Sequence, residues 1–271
     1  MQISVDSETY IDVAVFGSDE GIPLLIINGT GLSWGLWGEA AQVFAKDGYR
    51  AMCYDHRGIG ASARGVTKIT MQNLAADALA VLDGLGVPEA HILGWSLGSC
   101  IAQELALAHP DRVTSLILAN TWHRTSVYQR SLFTPFQHLW STGEGDLAWL
   151  SQSAASFSPE FLEGADYEET MAMLAPLLPS NREQAWTVSE QWGAELGHDT
   201  SERLPSIVCP TLVVAGEQDL VTPAWQGQAV AEAIPRAELV RLAGPGSSHA
   251  LAWERPQEFT ENVGDFLARI R

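Results

Sequence analysis

Short strand-like runs alternate with longer helix-like runs along most of this chain, and that alternation is the tightest constraint on its fold. Residues 23–27 ("PLLII") form a continuous apolar run, the pattern of a strand buried on both faces. A helix-like stretch follows at 34–46. "YRAMCYD" (49–55) reads as a strand. "MQNLAADALAVLDGLG" (71–86) reads as a helix, with Leu74, Ala78, Val81, Leu82 and Leu85 on one face. "AHILGW" is again a strand, 97–109 a helix and "VTSLILAN" a strand. Near the C-terminus come "TLVVAG" (strand), "AWQGQAVAEAI" (helix), "ELVRLAG" (strand) and "PQEFTENVGDFLARI" (helix). In the last of these Phe259, Val263, Phe266, Leu267 and Ile270 share a face, and Pro256 stands where a first-turn proline is tolerated. Two short β-like runs, at 3–5 and 10–16, precede the series. Such alternation specifies an α/β fold, a mostly parallel sheet with helices on both faces.

The alternation stops between residues 121 and 205. This segment has five of the ten tryptophans (Trp122, Trp140, Trp149, Trp186 and Trp192) and no strand-like run. It reads as a helical insertion, expected to pack on the C-terminal edge of the sheet as a cap, because open parallel sheets bind ligands at their strand C-termini. The domain expectation is therefore a core of residues 1–120 and 205–271 with a helical cap at 121–204.

Composition narrows the function class. The 271 residues are 46% hydrophobic and 18% charged, ample for a single large core. A net charge of −18 repels phosphate backbones and anionic lipid, so neither nucleic acid nor a membrane surface is an expected partner. Cys53, Cys100 and Cys209 have no disulfide or zinc spacing and read as buried thiols. The first ten residues have neither a basic stretch nor an apolar core of a signal peptide, and no apolar run approaches the ~20 residues of a membrane span. The expected compartment is the cytoplasm. No His/Asp/Cys cluster has ligand spacing, so no metal or cofactor is expected.

"GWSLG" (94–98) places Ser96 between two glycines, after a strand-like run and before a helix-like one. Alone this is a modest signal, since Ser and Gly are ordinary turn residues. Three further signals follow strand ends. "LVVAGEQD" sets Asp219 just past one strand, with Glu217 as its rival. "GPGSSHALAW" sets His249 after the next. "LLIINGTG" sets a Gly-rich turn after the 23–27 run. The other position that could hold an acid, at the end of the 113–120 strand, is Asn120, which cannot ionise.

Together with "YDHRGIGAS", these motifs, in the order Ser96, Asp219, His249, resemble the α/β-hydrolase fold family from about Gly21 to the C-terminus, the insertion excepted. The resemblance implies a sheet of about eight strands and a serine hydrolase. A serine hydroxyl needs an adjacent base, histidine suits that task, and a carboxylate fixes its tautomer. The resemblance also implies oxyanion donors at the backbone N–H groups of Leu97 and Thr30. Relatives usually carry His-Gly where this chain has Asn28-Gly29. Asp55 and Arg57 resemble a structural turn held by an internal ion pair. "NGTG" and "LANT" are similar to enol-lactonases.

The expected activity is therefore hydrolysis of a small ester or lactone through an acyl-enzyme on Ser96. C–C bond hydrolysis, amide hydrolysis and perhydrolysis are alternatives on the same triad, and a non-catalytic ligand receptor is the alternative of another class. Trp34, Trp95 and Trp122 are the expected substrate-binding residues, suited to an apolar or aromatic small molecule. The sequence does not fix an oligomeric state.

Overall fold

A computed structural model describes residues 1–6, 9–165 and 167–270. Eight strands form one sheet: β1 (Gln2–Ser4), β2 (Tyr10–Phe16), β3 (Ile22–Ile27), β4 (Tyr49–Tyr54), β5 (Ala90–Trp95), β6 (Val113–Ala119), β7 (Thr211–Gly216) and β8 (Ala237–Leu242). Their spatial order is β1-β2-β4-β3-β5-β6-β7-β8. β2 runs antiparallel to both of its neighbours, and every other pairing is parallel.

Helices α1 (Gly38–Lys46), α2 (Met71–Gly84), α3 (Leu97–Ala108) and α9 (Ala224–Ala233) make the crossovers between parallel strands. The 34–46 stretch is split, with a 3₁₀ turn at Trp34–Trp37 leading into α1. α10 (Leu251–Glu254) and α11 (Pro256–Arg269) close the chain. Between β6 and β7 stand α4 (Val127–Thr142), α5 (Gly145–Ser156), α6 (Pro159–Leu162), α7 (Tyr167–Leu174) and α8 (Arg182–Leu196), with no strand among the described residues there. None of the described helices is long and apolar enough to cross a membrane.

The sheet separates two cores. On one face Leu74, Ala78 and Val81 of α2 and Ile101 and Leu105 of α3 cover Ile92, Leu116 and Leu118. Trp122, Phe133 and Trp192 belong to that same cluster, so the insertion shares its hydrophobic core with the sheet instead of burying a separate one. On the other face Phe44 of α1 and Phe259, Val263 and Phe266 of α11 cover Leu93, Ile117 and Val214. β5 is buried at all six positions, His91 included, whose Nδ1 bonds the Ser115 hydroxyl at 2.8 Å.

Two expectations need correction. Asp55 and Arg57 do not pair with each other. The Asp55 carboxylate accepts the N–H groups of Trp34 (2.6 Å) and Ala61 (3.0 Å). Arg57 instead forks onto Asp77 of α2 at 2.6 and 2.5 Å, with both side chains buried. A carboxylate one helix away matches the guanidinium fork better than one held by its own turn. Cys209 is only partly buried, in contrast to Cys53 and Cys100, because it lies in the loop entering β7.

Burial pushes the Asp77 carboxyl up, against the downward pull of Arg57, while Asp77 raises the Arg57 guanidinium against its own burial, so each buried charge depends on the other. Removing one partner should therefore be costly. Asp77→Ala is expected to lose about 3–5 kcal/mol of unfolding free energy in urea. Asp83→Ala, which breaks the exposed contact to Arg112, should lose under about 1 kcal/mol. Equal losses for the two variants would contradict this account of the Arg57 pair.

Candidate active site

The backbone turns from β5 into α3 at one residue. Ser96 adopts φ 55°, ψ −121° and caps α3, a left-handed conformation that costs a non-glycine residue about 1–3 kcal/mol. The flanking glycines make the turn sterically possible. A Cβ on Gly94 would lie 2.3 Å from the Gly98 carbonyl oxygen, and one on Gly98 would lie 2.1 Å from that of Ile27 in β3. No side chain fits at either position.

A hydrogen-bond chain ends at this serine. His249 Nε2 lies 3.0 Å from Ser96 Oγ, and His249 Nδ1 lies 2.8 Å from Asp219 Oδ2. All three side chains are buried. An ionised Asp219 accepts from the Nδ1–H, which leaves Nε2 to accept the Ser96 hydroxyl proton. Asp219 itself is firmly held. Its Oδ1 accepts the N–H groups of Val221 and Thr222, both at 2.8 Å. Its Oδ2 also accepts the Thr222 hydroxyl at 2.6 Å and the Asn120 amide at 2.7 Å. Glu217 points away, to Arg241 at 3.4 Å, and remains exposed.

Asn120 was passed over in the sequence because it cannot ionise, yet it carries the other positive φ among the described non-glycine residues (50°) and turns its amide onto Asp219. Asn tolerates that backbone region better than most residues. Thr222 was also missed, having no local signal beyond lying three residues after Asp219.

The loop after β3 lies beside Ser96, since Ile27 pairs with Gly94. Asn28 organises it. Its amide donates to the carbonyls of Leu32 (2.7 Å) and Ser33 (2.9 Å), and its Oδ1 accepts Gly29 N–H (2.8 Å) and the Trp37 indole (3.0 Å). Asparagine, with two donor hydrogens and a two-lone-pair acceptor, is thus fully used at this position. His56, pushed down to about 4 by burial and hence neutral, bonds the Asn28 carbonyl at 2.9 Å. The N–H groups of Gly29 and Gly31 are occupied by Asn28 and by Gln191 of α8, whereas the intervening Thr30 N–H has no acceptor among the described residues. The Leu97 N–H is the first of α3 and has no intrahelical acceptor.

The three tryptophans expected around the site are placed differently. Trp95 touches it: its indole donates to the His249 carbonyl at 3.0 Å and its ring lies 5.2 Å from the imidazole. The Trp34 indole donates to Asp12 and meets Phe16 edge-on, so its contacts run toward β2. Trp122 is fully buried, donating to Thr125 and packing on Phe133. Among the described residues no group of three His, Cys, Asp or Glu side chains could hold a metal ion.

The insertion meets the loops at the C-terminal ends of the strands. Ser156 accepts the Ala250 N–H, next to His249, at 3.0 Å. Glu254 of α10 accepts the N–H of Ser158 at 2.9 Å, also takes the Ser158 hydroxyl, and accepts the Ser248 hydroxyl at 2.6 Å.

Comparison with known proteins places this arrangement. A family model described as the alpha/beta hydrolase fold matches residues 22–186. 3-Oxoadipate enol-lactonase 2 of Acinetobacter baylyi is 31% identical over 96% of this chain and 94% of its own length. A protein of Azorhizobium caulinodans carrying the name carbamate hydrolase RutD is 28% identical over 98% of this chain and 97% of its own. The crystal structure of the enol-lactonase from Burkholderia xenovorans LB400 superposes with a TM-score of 0.88 at 25% identity, covering 98% of this chain and 99% of that one. The eight-stranded sheet, the matched family model and the relatives agree: the chain belongs to the alpha/beta hydrolase fold family and is a hydrolase.

Proposed function

We propose that this protein cleaves a carboxylic ester or lactone of a small molecule through an acyl-enzyme on Ser96. The observation that carries the reading is the unbroken chain from Asp219 through His249 to Ser96, at 2.8 and 3.0 Å. His249 Nε2 takes the hydroxyl proton as Ser96 Oγ attacks the carbonyl carbon. The imidazolium that forms is stabilised by Asp219. The carbonyl oxygen, now negative, lies against the N–H groups of Leu97 and Thr30. His249 then gives the proton to the leaving oxygen, and that C–O bond breaks. Water, deprotonated by His249, then attacks the acyl carbon; the bond from that carbon to Ser96 Oγ breaks, His249 returns the proton to Oγ, and the acid is released.

In this reading the helices between β6 and β7 act as a cap that excludes water and shapes the acyl pocket. The apolar rings near the site, Trp95 foremost, suit an apolar or aromatic acyl group. The relative named for carbamate hydrolysis supports a second reading, in which the same serine attacks a carbamate carbonyl. A panel of p-nitrophenyl esters, lactones and carbamates separates the two by kcat/KM.

Ser96→Ala should fold and lose roughly 10⁴- to 10⁶-fold in kcat, and a fluorophosphonate probe should label wild type at Ser96 but not the variant. Near-wild-type turnover by pure, folded Ser96→Ala would end the serine-hydrolase reading.

Asp219→Asn should lower kcat by roughly 10⁴-fold with KM little changed, since the amide favours the wrong imidazole tautomer. Glu217→Gln should be silent. Steady-state kinetics of both variants on one ester decide the point, and a reversed pattern would move the acid to Glu217.

A further inference from the structure

The polar stripe of α8 does more than cover the core. Gln184, Thr187, Val188, Gln191 and Glu195 recur at spacings of three and four and face the loops after β3 and β4. Gln184 donates to the Gly60 carbonyl at 3.0 Å, and a Cβ on Gly58 would lie 2.6 Å from Thr187 Oγ1. Nearer the nucleophile, a Cβ on Gly31 would lie 3.0 Å from Val188 Cγ2. The Gly31 N–H donates to Gln191 Oε1 at 2.8 Å, and the Thr30 hydroxyl donates to Glu195 Oε1 at 2.7 Å. Thr30 is thus gripped through its side chain and through the next peptide, while its own N–H has no acceptor among the described residues.

We propose that Glu195 and Gln191 are positioning residues that hold the Thr30 backbone donor in place, so that the inserted helices complete the oxyanion site as well as covering it. The proposal rests on the acyl-enzyme reading above. An oxyanion donor works only when aimed beforehand at the developing charge, and a loop held by one strand end alone has no such rigidity.

The surroundings of Glu195 say which form does the holding. Its side chain is fully buried, and Oε2 has no partner among the described residues. From α3 the Cys100 thiol faces it, itself kept neutral by burial. From the loop before α4 the uncharged Thr125 hydroxyl donates to the Glu195 carbonyl. The cations nearby are engaged elsewhere: Arg130 of α4 on the Leu196 carbonyl, Arg203 on Glu104 of α3, and Arg64 on Glu190. His198, just beyond α8, is neutral, pushed down to about 4 by burial. No ion pair reaches Glu195 among the described residues, and burial pushes its carboxyl up to about 8, against the smaller downward pull of Thr30. Below that pH the group is a neutral acid. Above it an anion bonded to Thr30 would repel the negative charge forming on the substrate oxygen, so ionisation lowers kcat.

The test compares wild type, Glu195→Gln, Glu195→Ala and Gln191→Ala on one p-nitrophenyl ester from about pH 6 to pH 10, corrected for spontaneous hydrolysis. Glu195→Gln keeps a neutral side chain that can accept from Thr30. It should hold kcat within about threefold at neutral pH and stay flat above pH 8, where wild type declines. Glu195→Ala and Gln191→Ala should lose about ten- to a hundredfold in kcat, with KM within about threefold. Should Glu195→Ala fail to fold, the alkaline limb of Glu195→Gln and the kcat loss of Gln191→Ala decide. A Glu195→Gln profile that keeps the wild-type alkaline decline, or a Gln191→Ala kcat equal to wild type, would overturn the proposal. Fluorophosphonate labelling of wild type at Ser96 separates the two levels. An unlabelled wild type defeats the acyl-enzyme reading itself, whereas labelled wild type beside kinetically unaltered variants defeats only the role of α8.

Discussion

The close crossing of α3 over β5 and β3 is the contact on which the rest of the site depends. Gly98 lies so near the Ile27 carbonyl that no side chain is tolerated, and Gly94 is packed as tightly against Gly98. That approach forces the reversal at Ser96 and brings its hydroxyl and the Leu97 N–H to one place. Sheet order supplies everything else. β3 lies on one side of β5 and delivers the 28–31 loop. β6 lies on the other and delivers Asn120, β7 follows with Asp219, and the loop after β8 brings His249. Groups 153 residues apart in the chain, Ser96 and His249, meet because each stands at a strand's C-terminal end.

Two buried carboxyl groups near this site have opposite environments. Asp219 accepts five hydrogen bonds, from two peptide N–H groups, a hydroxyl, an amide and an imidazole. The Glu195 carboxyl accepts one among the described residues, from Thr30. Donors stabilise a carboxylate, and burial without donors stabilises the acid. The same functional group is thus tied down by five donors beneath the imidazole at Asp219, and left by burial as a neutral bond partner of Thr30 at Glu195.

Much of this was legible in the residues. Continuous apolar runs such as "PLLII" marked strands covered on both faces, and local steric logic around Ser96 marked the turn. The choice of Asp219 over Glu217 is a matter of which carboxylate reaches His249, and the geometry brings Asp219 there. The role of α8 was not legible, because glutamines and a glutamate at helical spacing read as a solvated face. Here that face meets loop peptides, whose N–H and C=O groups need polar partners. The pairing of Arg57 escaped for another reason. Its partner lies 20 residues on, in a helix whose orientation is set by packing, so the nearer Asp55 drew the assignment. Asn28 reads as a departure from a family pattern until its four hydrogen bonds are counted in space.

The seam between the insertion and the His249 loop has a meaning for how such proteins diversify. Glu254 holds both Ser158, from the insertion, and Ser248, the residue before the imidazole, and the Ser156 carbonyl takes the very next N–H. A foreign helical segment grafted between β6 and β7 would leave that partly buried carboxylate short of donors and slacken the loop carrying His249. The segment is therefore not a free module. Exchange between relatives would have to carry Ser158 and the backbone path that presents the carbonyl at 156 along with it, or recruit a replacement for Glu254 at the same time.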